Sequence, residues 1–330
     1  MKRIDRSIAA ATLAGTLVLA LASLLVASAR TDDNEDAARF SDWSAPVNLG
    51  PPVSALLTGF PPKGADFNPF ISRDGLSLYF SSDRPGGFGG FDIWVSQRPS
   101  VNDPWGEPQN LGPNVNTPST ENSPALSANG RHLYFQSDRP GGFGGLDLYV
   151  SERHRKRDDL AWQAPTNLGS NVNTSFNETA PTLFEDDETG VVTLYFNSNR
   201  PGVGGNDIYA SALNDDDEEE TFEPAVVVLE LSTPDNEGGL AIRRDGLEVI
   251  MSADRAGSIG GNDLWVATRG SAAEPWSPWV SLGPVVNTGF QENRPALSRK
   301  GTELYFGSNR PSPGGFDVYV ATRARLKHND

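Results

Sequence analysis

The fold is decided by the stretch Ser82-Asp83-Arg84-Pro85-Gly86-Gly87-Phe88-Gly89-Gly90-Phe91-Asp92-Ile93-Trp94, because this stretch recurs along the chain. A near-identical copy runs from Ser137 to Tyr149, and three looser copies begin at Ser198, Ser252 and Ser308. Steps of 55, 61, 55 and 55 residues separate the arginines of the five copies, which are Arg84, Arg139, Arg200, Arg255 and Arg310. A period of this length predicts an array of one repeated supersecondary unit.

Each period contains four short runs with the composition of β-strands. In the second copy they cover residues 124–127, 133–137, 146–151 and 162–169, and the middle two runs are rich in aromatic and β-branched residues. The first two runs are joined by Ala128-Asn129-Gly130, a sequence typical of a tight hairpin. Four antiparallel strands per repeat and five repeats predict an all-β, five-bladed β-propeller.

The two ends of the repeat array complement each other. The fifth repeat ends after its third strand, near Val320, without the outer strand that follows in the other copies. A matching segment, Trp43-Ser44-Ala45-Pro46-Val47-Asn48-Leu49-Gly50, precedes the first repeat. We therefore expect this N-terminal strand to complete the last blade and close the ring. The alternative is a linear solenoid, which would leave two sheet edges unpaired.

The repeat also carries a family resemblance. Its pattern, Pro-x-Leu-Ser-x-Asp/Asn-Gly-x-x-Leu-Tyr-Phe-x-Ser-Asp-Arg-Pro-Gly-Gly-x-Gly-Gly-x-Asp-Ile-Tyr, covers residues 43–323. It resembles the WD40-like bacterial PD40 propeller repeat, which occurs in TolB-type periplasmic proteins and in envelope proteins with an OmpA-like domain. The resemblance implies a propeller that works in the bacterial cell envelope.

The N-terminus and the composition indicate an exported protein. Residues 1–29 have the basic start, apolar run and small-residue cleavage site of a signal peptide, and an uncleaved membrane anchor is the alternative. Residues 30–42 read as an acidic spacer, residues 43–323 as the propeller and residues 324–330 as a tail. Cysteine is absent and the net charge is -16, which argues against disulfides and against nucleic acid as a partner. We expect a periplasmic or secreted location, with membrane contact only through an uncleaved leader.

Each repeat has one carboxylate three residues before the proline position of its first strand. These residues should ring one mouth of the central channel, and they are Asp66, Glu121, Glu178, Glu237 and Glu292. Five like charges destabilise one another unless a cation or an arginine compensates them. The repeat arginines belong on the same face. One interpretation is therefore a structural ion pair between the carboxylate and the arginine of each repeat, which we call the latch. The other interpretation is a ligand site.

Other candidate binding residues lie in the loops. Phe88 and Phe143 occupy the tips of the glycine-rich loops and would either form a docking patch or fold back onto a neighbouring blade. The first repeat carries an insertion that includes Phe60 and Lys63. The aspartates that end these loops, such as Asp92 and Asp147, should bond backbone amides of their own loop.

The pattern contains no Ser/His/Asp constellation and no metal-ligand spacing, so we expect no catalytic residues, no metal and no cofactor. The main hypothesis is a non-catalytic module that binds another envelope protein. The alternative is a carbohydrate-binding or glycoside-hydrolysing propeller, with mouth carboxylates unpaired by arginine beside Trp43 or Trp276 and a glycan as partner. A cation at the channel mouth is a third hypothesis.

Overall fold

The protein is all-β in the part of the chain that the computed structural model describes, which comprises residues 40–54, 64–155, 158–187, 189–214, 221–311 and 315–326. The described residues form five antiparallel sheets and no α-helix, so none of them belongs to a helix that could cross a membrane. The five sheets are the blades of a propeller, which confirms the predicted fold class.

Blades 1, 2 and 4 have four strands each: β2 (Asp66–Ile71), β3 (Ser77–Ser82), β4 (Asp92–Gln97), β5 (Gln109–Asn110); β6 (Glu121–Leu126), β7 (His132–Ser137), β8 (Asp147–Glu152), β9 (Thr166–Asn167); β15 (Asn236–Ile242), β16 (Glu248–Asp254), β17 (Asp263–Thr268), β18 (Val280–Ser281). Blade 3 has five strands: β10 (Glu178–Glu185), β11 (Val192–Ser198), β12 (Asp207–Asn214), β13 (Thr221–Phe222) and β14 (Val226–Val227). Blade 5 consists of β1 (Val47–Asn48), β19 (Glu292–Leu297), β20 (Glu303–Ser308) and β21 (Asp317–Thr322).

The N-terminal strand closes the ring. Val47 pairs with Val320, and β1 is the outer strand of blade 5, as the sequence predicted. Phe40 forms a further bridge to Arg325. The proposed signal peptide and the insertion residues Phe60 and Lys63 lie outside the described residues, as does most of the spacer.

The hydrophobic core lies between neighbouring blades. One cluster joins Tyr79 and Val95 of blade 1 to Leu126 and Phe135 of blade 2. The second strand of each blade is apolar on both faces because each face packs against another blade. In β3, for example, all six residues are buried.

A short motif before each inner strand ties that blade to the preceding one. The side chain of Asn116 accepts a bond from the Ile93 amide and donates one to the Ile93 carbonyl, both at 2.9 Å. Asn173 and Asn287 repeat this pattern. Repeat four has no asparagine at this position, but Ser232 takes the same place there and accepts a bond from the Ile208 amide at 3.0 Å.

The glycine-rich loops also pack against the next blade. A Cβ added at Gly144 would overlap the Phe176 carbonyl and lie 2.6 Å from the Thr174 oxygen. Gly89, Gly204 and Gly260 face backbone carbonyls of the following blade in the same way. These glycines are therefore required by a close approach between backbones.

We expect Gly144→Ala to lower the free energy of unfolding by about 1–3 kcal/mol, because the methyl group would force two backbones apart. Gly289→Ala is the matched control, since nothing lies within 4 Å of a Cβ added there. Urea unfolding of both variants measures the difference. Equal stability of the two variants would contradict this account of the loop.

Candidate functional site

The carboxylates predicted to ring the channel mouth are paired within their own blades. Each forms an ion pair with the arginine of its own repeat. The Nη2–oxygen distances are 2.6 Å (Arg84–Asp66), 3.1 Å (Arg139–Glu121), 2.9 Å (Arg200–Glu178), 3.2 Å (Arg255–Glu237) and 3.0 Å (Arg310–Glu292). All five carboxylate side chains are 0% exposed. The geometry therefore favours the latch over the ligand site.

Glu121 shows how completely such a carboxylate is used. It accepts bonds from the Thr117 amide at 2.6 Å, the Thr117 hydroxyl at 2.7 Å and the Ser137 hydroxyl at 2.9 Å. Arg139 also donates to the Val115 carbonyl at 2.7 Å and lies over the rings of Phe135 and Tyr149. A ligand could reach this carboxylate only after several of these bonds had broken.

In the latch of blade 4, burial shifts the pKa of both members of the ion pair toward the neutral form. Burial raises the pKa of Glu237 above its ordinary value, although bonds from Thr233 and the charge of Arg255 oppose the shift. Burial likewise lowers the pKa of Arg255. The inter-blade motif before this blade has Ser232 in place of asparagine, and the motif before blade 1 likewise has Ser54.

We expect Arg139→Met to lower the free energy of unfolding by about 3–5 kcal/mol, because it leaves the buried Glu121 carboxylate without its counter-charge. Arg131→Met, at an exposed position of the same blade, should change stability by no more than about 0.5 kcal/mol. Chemical denaturation of both variants measures this difference. A small effect at Arg139 would show that the latch contributes little.

The loop-tip residues lie on this same latch face. Phe88 and Phe143 are 45% and 51% exposed, so they do not fold back onto a neighbouring blade. The amide of Phe88 donates to Asp92 at 2.6 Å and that of Phe143 to Asp147 at 2.5 Å, which confirms the structural role predicted for these aspartates. The binding role assigned to the two phenylalanines stays a prediction.

The opposite face contains a funnel-shaped cavity of about 860 Å³. The ends of the five inner strands and the hairpin turns that follow them line this funnel. Its wall includes the half-buried rings of Phe70 and Phe184 and the prolines Pro69, Pro124 and Pro181. Concave, partly apolar cavities of this size are typical of small-molecule sites. We call this cavity the funnel.

A repeated arginine clamp fixes the hairpins at the rim of the funnel. Arg98 donates to the Gly75 carbonyl at 2.8 Å and lies 4.2 Å from the centre of the Trp105 ring. Three other blades repeat this clamp with Arg153 over Trp162, Arg269 over Trp276 and Arg323 over Trp43. Trp43 and Trp276 are therefore half-buried beneath arginines on the face opposite to the carboxylates. The predicted pairing of these tryptophans with mouth carboxylates is wrong.

Blade 3 contributes acidic residues to the rim of the funnel. Its hairpin carries Glu185, whose carboxylate lies 3.4 Å from the guanidinium of Arg73 in blade 1. Asp187 lies 2.7 Å from Arg244 of blade 4 and 3.9 Å from Arg73. Ion pairs between three blades thus span the funnel mouth, and Asp74 lies next to them in the blade 1 hairpin.

A buried polar cluster lies under the funnel wall. Asp159 accepts bonds from Ser77, from the Tyr79 hydroxyl at 2.6 Å and from Gln97 at 2.7 Å, and it is paired with Arg153. Burial alone would raise the pKa of Asp159, but these bonds outweigh burial and lower that pKa below its ordinary value.

A lowered pKa means that ionised Asp159 stabilises the folded state above the unfolded-state pKa, which is about 3.9. This stabilisation is lost as pH falls through the lower pKa of the folded state. We expect Asp159→Asn to be several kcal/mol less stable than the wild type at pH 7. Urea unfolding at pH 7, 4 and 2.5 should show the difference shrinking below about pH 4. A difference independent of pH would contradict this assignment.

Sequence reasoning missed the funnel because the repeat consensus directs attention to the opposite face. The available signal was the column just before the proline position, which reads Asn68, Ser123, Ala180, Gly239 and Arg294. A single arginine among small residues marks the inner strand of blade 5. No group of three or more potential metal ligands occurs among the described residues.

The solved structures to which the fold is similar include glycoside hydrolase propellers. The catalytic domain of the GH62 α-L-arabinofuranosidase of Coprinopsis cinerea superposes with a TM-score of 0.57 at 12% identity, covering 86% of this chain and 97% of that one. The Podospora anserina α-L-arabinofuranosidase in complex with cellotriose gives 0.57 at 11% identity, with the same coverage. The endo-arabinase of Bacteroides thetaiotaomicron gives 0.52 at 17%, covering 80% and 95%.

No protein-family model and no curated protein sequence matches the chain. The identification with PD40 and TolB-type repeats is therefore wrong, since the similar structures are glycoside hydrolase propellers. The expectation of a non-catalytic, protein-binding envelope module is wrong for the same reason. An envelope protein as partner has no support, whereas glycan partners are represented among the similar structures by cellotriose and xylotriose complexes.

Proposed function

We propose that the protein binds glycans in the funnel and hydrolyses a glycosidic bond there. The observation that carries the proposal is the funnel itself, a cavity of about 860 Å³ at the propeller axis with aromatic, polar and charged walls. Its position on the channel axis allows all five blades to contact one ligand. The fold likeness to arabinofuranosidases and an endo-arabinase supports a glycan as that ligand.

The wall of the funnel has the chemistry that sugars require. The half-buried rings of Phe70 and Phe184 offer apolar faces for the C–H side of a sugar ring. Ser72, Asn129 and Arg244 offer polar groups at the rim that can bond hydroxyls. Sugar recognition combines these two kinds of contact in one concave site.

Hydrolysis requires two carboxyl groups, one acting as an acid and one as a base or nucleophile. The funnel has two acidic side chains that reach solvent, Asp74 and Glu185, among the described lining residues. Asp159 is buried and fully bonded, and the latch carboxylates lie on the other face. We therefore assign Asp74 and Glu185 as the reacting pair. Arg73, the residue before Asp74, contacts Glu185 across the mouth, and Asp74 accepts bonds from the Ser72 hydroxyl and the Leu76 amide in its own turn.

We expect slow hydrolysis of arabinan, arabinoxylan or xylan oligosaccharides by the wild type, with kcat reduced about 100-fold or more in Glu185→Gln and in Asp74→Asn. Asp103→Asn, at an exposed site outside the funnel lining, should keep full activity. Product analysis by chromatography measures turnover, and isothermal titration calorimetry measures binding separately. Thermal unfolding confirms that the variants fold.

The two parts of the proposal fail in different ways. Binding without turnover would overturn the catalytic assignment and leave glycan binding in place. Turnover unaffected by either carboxyl variant would overturn the choice of residues. Neither binding nor turnover of any oligosaccharide would overturn the glycan function as a whole.

A further inference from the structure

The base of the funnel holds an arginine with no acidic partner. Arg294 lies in β19, two residues after the latch carboxylate Glu292, and it lines the cavity. Its Nη1 is sealed from solvent and bonds no atom of the described protein. No carboxylate of the described residues lies within 4.0 Å of its guanidinium, whereas the five repeat arginines all have one.

The neighbouring blade is shaped to admit this side chain. Gly239 in blade 4 occupies the position equivalent to Arg294, and a Cβ added there would lie 2.6 Å from Nη1 and overlap the side-chain methylene. The other equivalent residues, Asn68, Ser123 and Ala180, are small. All of them except Gly239 have positive φ angles, between 52° and 60°. Arg294 therefore packs against the backbone of the neighbouring blade 4, where only glycine leaves room for it.

The Arg294 guanidinium remains charged at neutral pH. Burial lowers its pKa to about 9, which is still well above the physiological range. Leaving a cation in a partly apolar cavity without a counter-ion is unfavourable, and so is leaving a buried N–H group unbonded. The cost of the uncompensated charge falls when an anion enters the funnel and accepts bonds from the part of the Arg294 side chain that lines it.

The rim of the funnel carries net positive charge, as Arg294 does. The described lining includes six arginines and three acidic residues, although the whole chain carries -16. Even when Asp187 is added to the acidic side, the arginines remain in excess. Desolvation lowers the pKa of Arg299, the charges of Arg73 and Arg244 lower it further, and those of Asp187 and Glu185 oppose the shift. An acidic protein has thus concentrated positive charge at this cavity.

We propose that the funnel is selective for acidic glycans, with the carboxylate of a uronic acid residue bound by Arg294. This inference rests on the proposed glycan function and specifies its substrate class. The planar guanidinium can donate two parallel hydrogen bonds to the two oxygens of a carboxylate. A sugar hydroxyl has only one oxygen and cannot accept this pair of bonds. The rim arginines attract further acidic residues of the same chain, while Phe70 and Phe184 contact the sugar rings.

The experiment compares trigalacturonate with its trimethyl ester by isothermal titration calorimetry at pH 7 and low salt. The two ligands share their rings and hydroxyls and differ in charge and in the three ester methyl groups. We expect the wild type to bind the acid at least tenfold more tightly than the ester. In Arg294→Gln this preference should fall to about twofold or less, while affinity for the ester stays unchanged. Arg131→Gln, at an exposed arginine outside the funnel lining, should keep the full preference.

A loss of binding in Arg294→Gln can be distinguished from a loss of folding. Because Arg294→Gln removes an uncompensated buried charge, its melting temperature should equal or exceed that of the wild type. Equal binding of acid and ester by the wild type would overturn the acidic selectivity without touching glycan binding. A preference that survives in Arg294→Gln would overturn the role of Arg294.

Sodium sulfate distinguishes a glycan carboxylate from a free anion. Competition between sulfate and trigalacturonate in the wild type, absent in Arg294→Gln, would support a shared anion site. Binding of sulfate without any binding of trigalacturonate would overturn the glycan assignment. Failure of every oligosaccharide, neutral or acidic, to bind would instead count against the proposed function.

Discussion

A buried carboxylate that must be fully bonded governs the geometry of each blade. All five latch carboxylates begin the inner strands at zero exposure beside an arginine, and at Glu121, Glu178 and Glu292 a threonine and a serine also donate to the carboxylate. The convergence fixes the start of the inner strand against the loop after the second strand. It also sets the distance to the preceding blade, since Thr117 follows the asparagine that bonds Ile93 of that blade. The ring therefore depends on one polar unit repeated at every blade.

The two faces of the propeller have different roles: the latch face stabilises the fold, and the funnel face is where a specific ligand can be recognised. The latch face has a carboxylate–arginine ion pair in every blade, and these groups form their bonds within the protein. The funnel face keeps a regular clamp of arginine on tryptophan in four blades, but it departs from the repeat at Glu185, Asp187 and Arg294. A ligand without fivefold symmetry can be recognised only where the repeat is broken. This is the physical reason to place function on the funnel face.

Much of the architecture could be predicted from the sequence, because hairpin turns, strand composition and repeat spacing are local signals. The partner of the N-terminal strand followed from counting strands, and the latch followed from the equal numbers of carboxylates and arginines. The funnel could not be found in this way. Asp159 belongs to a loop unique to one repeat, and Arg73 meets Glu185 only through the closed ring. The family resemblance misled because it rested on the latch and loop residues that build the blade, and these carry no information about the ligand.

The pairing of Val47 with Val320 has a consequence for the order in which the molecule forms. The strand that completes blade 5 is translated first, and its partner is translated last. Blades 1 to 4 can assemble progressively from neighbouring segments, but blade 5 must wait for both ends of the propeller. This long-range contact should make ring closure the slow step of folding. Phe40 and Arg325 lie side by side, so a covalent join between the ends could move the chain break to a surface turn without disturbing the ring.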